Sequence, residues 1–108
     1  MSQVNAINCI EVPLGSEDKA IEVREIYVNY FRKQQGFVSS TFYRASTQSD
    51  SINFINVVVW ASQADYDVVV NKGYENPDGM NEDGMKVLGK GFPAPIIVHP
   101  GVFEIIGK

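Results

Sequence analysis

Apolar residues run along both sides of one stretch of the chain, Ile52 to Ala61. With the two-residue period of a strand, Ile52, Phe54, Val58 and Trp60 point one way, interrupted by Asn56, while Ile55, Val57, Val59 and Ala61 point the other. A strand with one wet face alternates apolar with polar, so this pattern predicts a strand covered on both sides. Ser62 then starts a helix. In Ser62-x-x-Asp65 the hydroxyl can take an orphan backbone N–H, and the carboxylate sits by the positive helix end. Tyr66, Val69 and Val70 keep i, i+3, i+4 spacing, which turns Tyr66 inward. Three polar-tipped side chains, Asn56, Trp60 and Tyr66, are thus expected in apolar surroundings.

Elsewhere the pattern is looser. Val4 to Val12 predicts a first strand with Val4, Ala6, Ile10 and Val12 on one side and Ile7 and Cys9 on the other, ended by Pro13 and Gly15. Ser16, followed by Glu17 and Asp18, marks a helix running to about Gln35 and stopped by Gly36. Its inward face is Ala20, Val23, Tyr27, Tyr30 and Phe31, and Glu22, Arg24, Glu25, Arg32 and Lys33 form the wet face. The aromatic stripe is either core or the floor of a pocket. Phe37 to Thr47 predicts a second strand, joined to the central one by the polar turn Gln48-Ser49-Asp50-Ser51. Arg44 shares a side with Val38 and Phe42, where it either snorkels to the strand end or faces an anionic ligand.

The second helix is expected to end near Lys72-Gly73. Beyond it, glycines at 79, 84, 89 and 91 interleave with Met80, Met85, Val87 and Leu88, predicting a short helix around residues 80–90. That segment is either a mobile cover over a pocket or a plain surface connection. Ile96 to Val98 and Val102 to Ile106 read as a last strand broken by His99-Pro100-Gly101, at an edge or a bulge because Pro100 cannot donate to a ladder.

The order strand, helix, strand, strand, helix, strand predicts one α+β domain over residues 1–108, a ferredoxin-like βαββαβ fold with a four-stranded antiparallel sheet. Its helices cover one face. The other presents Ile55, Val57, Val59 and Ala61, with Phe37, Thr41 and Tyr43 added by the hairpin partner. A second copy placed face to face across a two-fold axis would cover it, so a homodimer is expected.

Composition narrows the chemistry. A net charge of −4 without a basic block argues against nucleic acid and anionic membranes as partners. No spanning apolar run or basic-then-apolar N-terminus is present, so the expected location is cytoplasmic. One cysteine and one histidine, Cys9 and His99, leave too few ligands for a thiolate cluster or a His-based metal site, and no phosphate-cradling glycine loop occurs. The expectation is chemistry with no cofactor and no metal.

The chain resembles the antibiotic biosynthesis monooxygenase (ABM) domain family, the dimeric α+β barrels. Gly36-Phe37, the run from Phe54 to Ser62 followed by Ala64-Asp65-Tyr66, and His99-Pro100-Gly101-Val102-Phe103 carry the resemblance. It implies a cofactor-independent monooxygenase acting on a phenolic, quinol or polyketide-like aromatic, whose anion itself reduces O₂. The catalytic positions it implies are Asn56, Trp60 and Tyr66, as oxyanion donor, indole donor and hydroxyl partner. Tyr27, Phe42, Arg44, Phe54 and Met80 are candidate substrate contacts. The pocket His or Arg of some such enzymes has only Arg44 and the distant His99 as counterparts. The His that haem-degrading members carry after the second helix is absent, so haem is not expected as a partner. The alternatives are a ligand-binding or stress-response dimer without turnover and a structural subunit, with Asn56, Trp60 and Tyr66 as satisfied core groups.

Overall fold

In the computed structural model, residues 2–47 and 51–108 are described. The Gln48–Asp50 part of the expected hairpin turn lies outside them. The elements are β1 (Val4–Glu11), α1 (Glu17–Phe31), β2 (Phe37–Arg44), β3 (Phe54–Trp60), α2 (Gln63–Val70) and β4 (Ile97–Phe103), with a 3₁₀ turn at Asn71–Tyr74. The sheet order is β2-β3-β1-β4, antiparallel throughout. This is the ferredoxin-like α+β arrangement, with β3 and β1 in the middle.

Burial along β3 has the period of a strand. Phe54, Asn56, Val58 and Trp60 are buried beneath the helices, whereas Ile55, Val57 and Val59 are only partly covered. The expectation that both faces are covered therefore holds on one side of the isolated chain only. On the helix side the core has two lobes. One packs Val4, Val58, Trp60, Tyr66, Val69, Val70 and Val87; the other packs Ile10, Val12, Ala20, Tyr27, Phe54, Phe92 and Ile96. Phe31 and Met85 pack against both.

Local chemistry fixes the joints. Ser62 Oγ accepts from Asp65 N at 3.1 Å and its hydroxyl donates to Asp65 Oδ2 at 3.0 Å, so the predicted cap of α2 is formed. Gly36 has φ +86°, and a Cβ there would meet the Asp65 side chain at 2.4 Å. Only glycine lets the turn after α1 approach the start of α2 this closely.

Several boundaries differ from expectation. The α1 helix stops at Phe31 and unwinds through i→i+3 bonds from Lys33 N to Tyr30 O and Gln34 N to Phe31 O, so Arg32 and Lys33 lie past its last turn. Ser16 makes no side-chain cap. A bulge shifts the β2–β3 register between Phe37 and Ser39. Phe37 therefore sits opposite Trp60 on the helix side, not on the bare side where strict alternation puts it. Residues 80–90 form no helix; Met80 and Lys86 make an isolated bridge within a chain of turns. Gly84 and Gly89 within that stretch, and Gly79 and Gly91 at its ends, cost a helix more than Met85, Val87 and Leu88 return. β4 is continuous through Pro100, because it is an edge strand paired only with β1.

Candidate active site

Asn56 lies at the middle of β3, Trp60 at its end and Tyr66 one turn into α2. All three line a single cavity of about 40 Å³ between sheet and helices. Tyr27 and Phe31 of α1 form another wall, and Val87, Leu88 and Gly89 form the roof. Phe31, Phe37 and Tyr66 pack around the Trp60 ring, with centroids at 5.6, 6.0 and 6.4 Å. Trp60 is 2 % exposed, and its ring borders the cavity.

The amide of Asn56 is oriented by a residue that sequence reasoning put on the wet face. Arg24 turns inward from α1, its side chain only 13 % exposed, and its Nε donates to Asn56 Oδ1 at 3.2 Å. Arginine has no acceptor, so the atom facing it must be the carbonyl oxygen. The Asn56 N–H₂ is the end of the amide that Arg24 does not hold. A signal for Arg24 existed. It lies four residues after Ala20 and three before Tyr27, on the inward stripe itself. Asn8 was missed too. It faces the cavity from β1 directly opposite Asn56 in the ladder. Its signal was a polar residue between the inward positions Ala6 and Ile10.

The titratable cavity groups are tyrosines held in the phenol form. Burial pushes the pKa of Tyr27 up to about 12, against a smaller opposing effect of the Gly91 N–H that donates to its oxygen at 2.6 Å. Burial, and after it the neighbouring Tyr74 hydroxyl, raises Tyr66 well above the usual phenol range. Near neutral pH both are hydroxyl donors, not bases. Apart from them, the lining holds no acid or base.

The other expected contacts are elsewhere. Phe42 and Phe54 pack against each other in a tilted pair, centroids 5.4 Å apart, outside the cavity lining, and Phe54 belongs to the second core lobe. Arg44 is exposed at the end of β2, near Glu17 and Asn53 and away from the cavity lining. Met80 is half-buried and does not line the cavity. His99 lies on the bare side of the sheet, opposite Cys9 in register, with Nε2 2.6 Å from Glu11 Oε2. Among the described residues no helix is long and apolar enough to cross a membrane.

The cavity is small. Its volume holds a water or two and is far below the roughly 300 Å³ at which pockets for drug-sized ligands begin. The roof holds the unusual backbone: Leu88 is a non-glycine residue at φ +59°, beside Gly89 at φ +73°. Its pins are few, chiefly Val87 N to Gly79 O at 2.9 Å and Gly91 N to Tyr27 Oη. Beneath it, buried Asn81 ties the loop down, donating to Val69 O and accepting from Met85 N.

No protein-family profile matches the chain, and no curated protein sequence does either. Solved structures do. A protein from Shewanella loihica provisionally described as a monooxygenase is 26 % identical with a TM-score of 0.70, over 100 % of this chain and 99 % of that one. SnoaB, a cofactor-independent oxygenase from Streptomyces nogalater, is 17 % identical with a TM-score of 0.64, over 100 % and 97 %. The haem degrader MhuD from Mycobacterium tuberculosis, solved with two haems in its active site, is 18 % identical with a TM-score of 0.61, over 97 % of each chain. The last two likenesses speak for the fold alone. With the Asn56-x-x-x-Trp60-x-Ser62 pattern in place on β3 and at the start of α2, the chain shares the ferredoxin-like α+β fold of these structures, consistent with a domain of the antibiotic biosynthesis monooxygenase type.

Proposed function

We propose that the chain is a cofactor-independent monooxygenase that binds an electron-rich phenol or quinol as its anion and lets that anion react with O₂. The observation that carries this reading is the convergence of Asn56, Trp60 and Tyr66 on one small, largely apolar cavity, with the Asn56 carbonyl engaged by Arg24 so that its N–H₂ is the end offered to a ligand. Free donors in a water-poor site stabilise a localised oxyanion far better than they would in water. The bound phenolate gives electrons to O₂, a ring carbon takes up the dioxygen as a hydroperoxide, and loss of that carbon's proton with the outgoing oxygen leaves a carbonyl. One phenol and one O₂ thus yield one quinone and one water.

The lining offers no side-chain base. The substrate must therefore ionise by its own acidity, helped by the donors around it, and Tyr66 orients rather than deprotonates. A substrate gains access when the roof at Val87–Gly89 lifts. The working unit is a homodimer, formed by the half-covered face that bears Ile7, Ile55, Val57 and Val59 with the exposed Tyr43, Ile97 and Phe103. It acts in the cytoplasm, where an unpaired Cys9 is at home.

The test is O₂ uptake by a dihydroxynaphthalene or an anthrone with protein free of metal and flavin. Quinone formation above the uncatalysed rate supports the reading; no acceleration over a panel of such phenols removes it. Haem is not part of the proposal, because His99 is across the sheet from the cavity and engaged by Glu11. A haemin titration should give no one-to-one Soret change, and a sharp endpoint would overturn that point. The smallness of the cavity favours one second reading, a dimer that binds a small ligand without turnover. Ligand binding with no O₂ uptake would select it.

A further inference from the structure

We propose, building on the reading of the cavity as a phenolate site, that Arg24 is the positioning residue that makes Asn56 an oxyanion donor. Its guanidinium is held on every side. Nε donates to Asn56 Oδ1 at 3.2 Å, Nη2 to Ser40 Oγ at 2.7 Å and Nη1 to Glu25 Oε1 at 3.1 Å, and the cation lies 5.3 Å from the centre of the Phe42 ring. Arg24 itself is not in the cavity lining, so it acts through Asn56.

A carboxamide alone does not know which end to present. Its last torsion is broad and nearly two-fold, and a half-turn exchanges oxygen for nitrogen. Pointing C=O into the cavity would repel a phenolate; pointing N–H₂ would stabilise it. The guanidinium decides. The flipped amide would set donor against donor at 3.2 Å, while the observed one makes a charge-assisted bond. The same bond polarises the amide, so its far N–H₂ becomes a stronger donor, and a full positive charge stands one side chain behind the developing oxyanion. Anchoring by Ser40 from β2 and by Glu25 from α1 ties this orientation to the packing of helix on sheet.

The fork is essential to the device. A lysine at this position can reach Asn56 or Ser40, but one ammonium does not span both with a fixed geometry. Methionine keeps the apolar stem over Phe42 and removes every donor.

The experiment is a double-mutant cycle of Arg24→Met and Asn56→Ala, with Arg24→Lys beside it. It is read by O₂ uptake, by melting temperature and by the absorbance titration of 4-nitrophenol, a coloured phenol that is not turned over. Arg24→Met should lower kcat about tenfold or more, as loss of orientation does, and weaken nitrophenolate binding by a similar factor. In the Asn56→Ala background it should have little further effect on either, and Arg24→Lys should restore part of both. Additive losses, or losses that follow melting temperature alone, would overturn the assignment and leave the oxygenase reading standing. Absence of turnover in wild type would remove that reading, and the nitrophenolate cycle would then decide for Arg24 by itself. If nitrophenolate does not bind wild type either, both are overturned.

Discussion

Asn56 and Val57 are chain neighbours, and they look out on opposite worlds. Asn56 is buried under the helices, its amide held by Arg24 beside a small cavity. Val57 points to the other face of the same sheet, where Ile7, Val59 and Ile55 are only partly covered. One face keeps polar groups inside apolar surroundings; the other leaves apolar groups outside. Both run against the ordinary partition, and each asks for a partner of its own. The polar groups line a cavity with room for a ligand atom or a water that could accept from them. The apolar groups call for a second protein surface.

The largest effect that would break this contrast is on the bare face. Val57→Lys should turn the dimer into a monomer or unfold it, since an unpaired charge buried in an interface costs about 3–5 kcal/mol. Analytical ultracentrifugation at micromolar concentration reads this. A wild-type protein that is already a stable monomer would end the two-partner account.

A smaller effect, confined to the helix face, comes from Tyr27. Its phenol ionises near pH 12 when folded and at 10.0 when free, so the raised folded pKa contributes stability that is fully present below pH 10. That contribution, on the order of 2–3 kcal/mol, is lost as the pH rises from 10 to 12. Denaturant midpoints should hold flat up to pH 10 and fall above it. In Tyr27→Phe the fall should be reduced, at the expense of the bond from Gly91 that pins the roof.

The smallest effect is expected from Tyr66→Phe. The fold should survive, because only a hydroxyl is removed, and the rate should drop by a factor of several, as loss of one neutral hydrogen bond of about 0.5–1.5 kcal/mol implies. The pH profile should keep its position and move only when the substrate is exchanged for one of different acidity. A profile that shifts with Tyr66→Phe would make this tyrosine a base and contradict its raised pKa.

Much of this was legible in the chain because periodicity reports which way a strand or helix residue points. Ile52 to Ala61 announced β3 and its two faces, and Ser62-x-x-Asp65 announced the start of α2. Burial of Asn56, Trp60 and Tyr66 followed from the same arithmetic. Periodicity failed where the backbone departs from it. The bulge near Val38 turned Phe37 to the other side, a matter of one extra residue that carries no hydrophobic signature. The roof at residues 80–90 is held by Asn81 and by turns, not by a repeating pattern, so its glycines and apolar residues could be read as a helix. Arg24 illustrates a third kind of failure. Its position on the inward stripe was readable, but its charge argued for water, and only the pairing with Asn56, Ser40 and Phe42 overrides that preference.

The central claim is that the buried polar face is a site and not a satisfied core. The most direct measurement is the rate of O₂ uptake by Asn56→Ala set against its melting temperature. The account predicts a loss of about 10²-fold or more in rate, as removal of one oxyanion donor gives, with melting temperature lowered by no more than loss of the Arg24 hydrogen bond implies. An unchanged rate with a lowered melting temperature would mean that Asn56 serves the fold alone, and would contradict it.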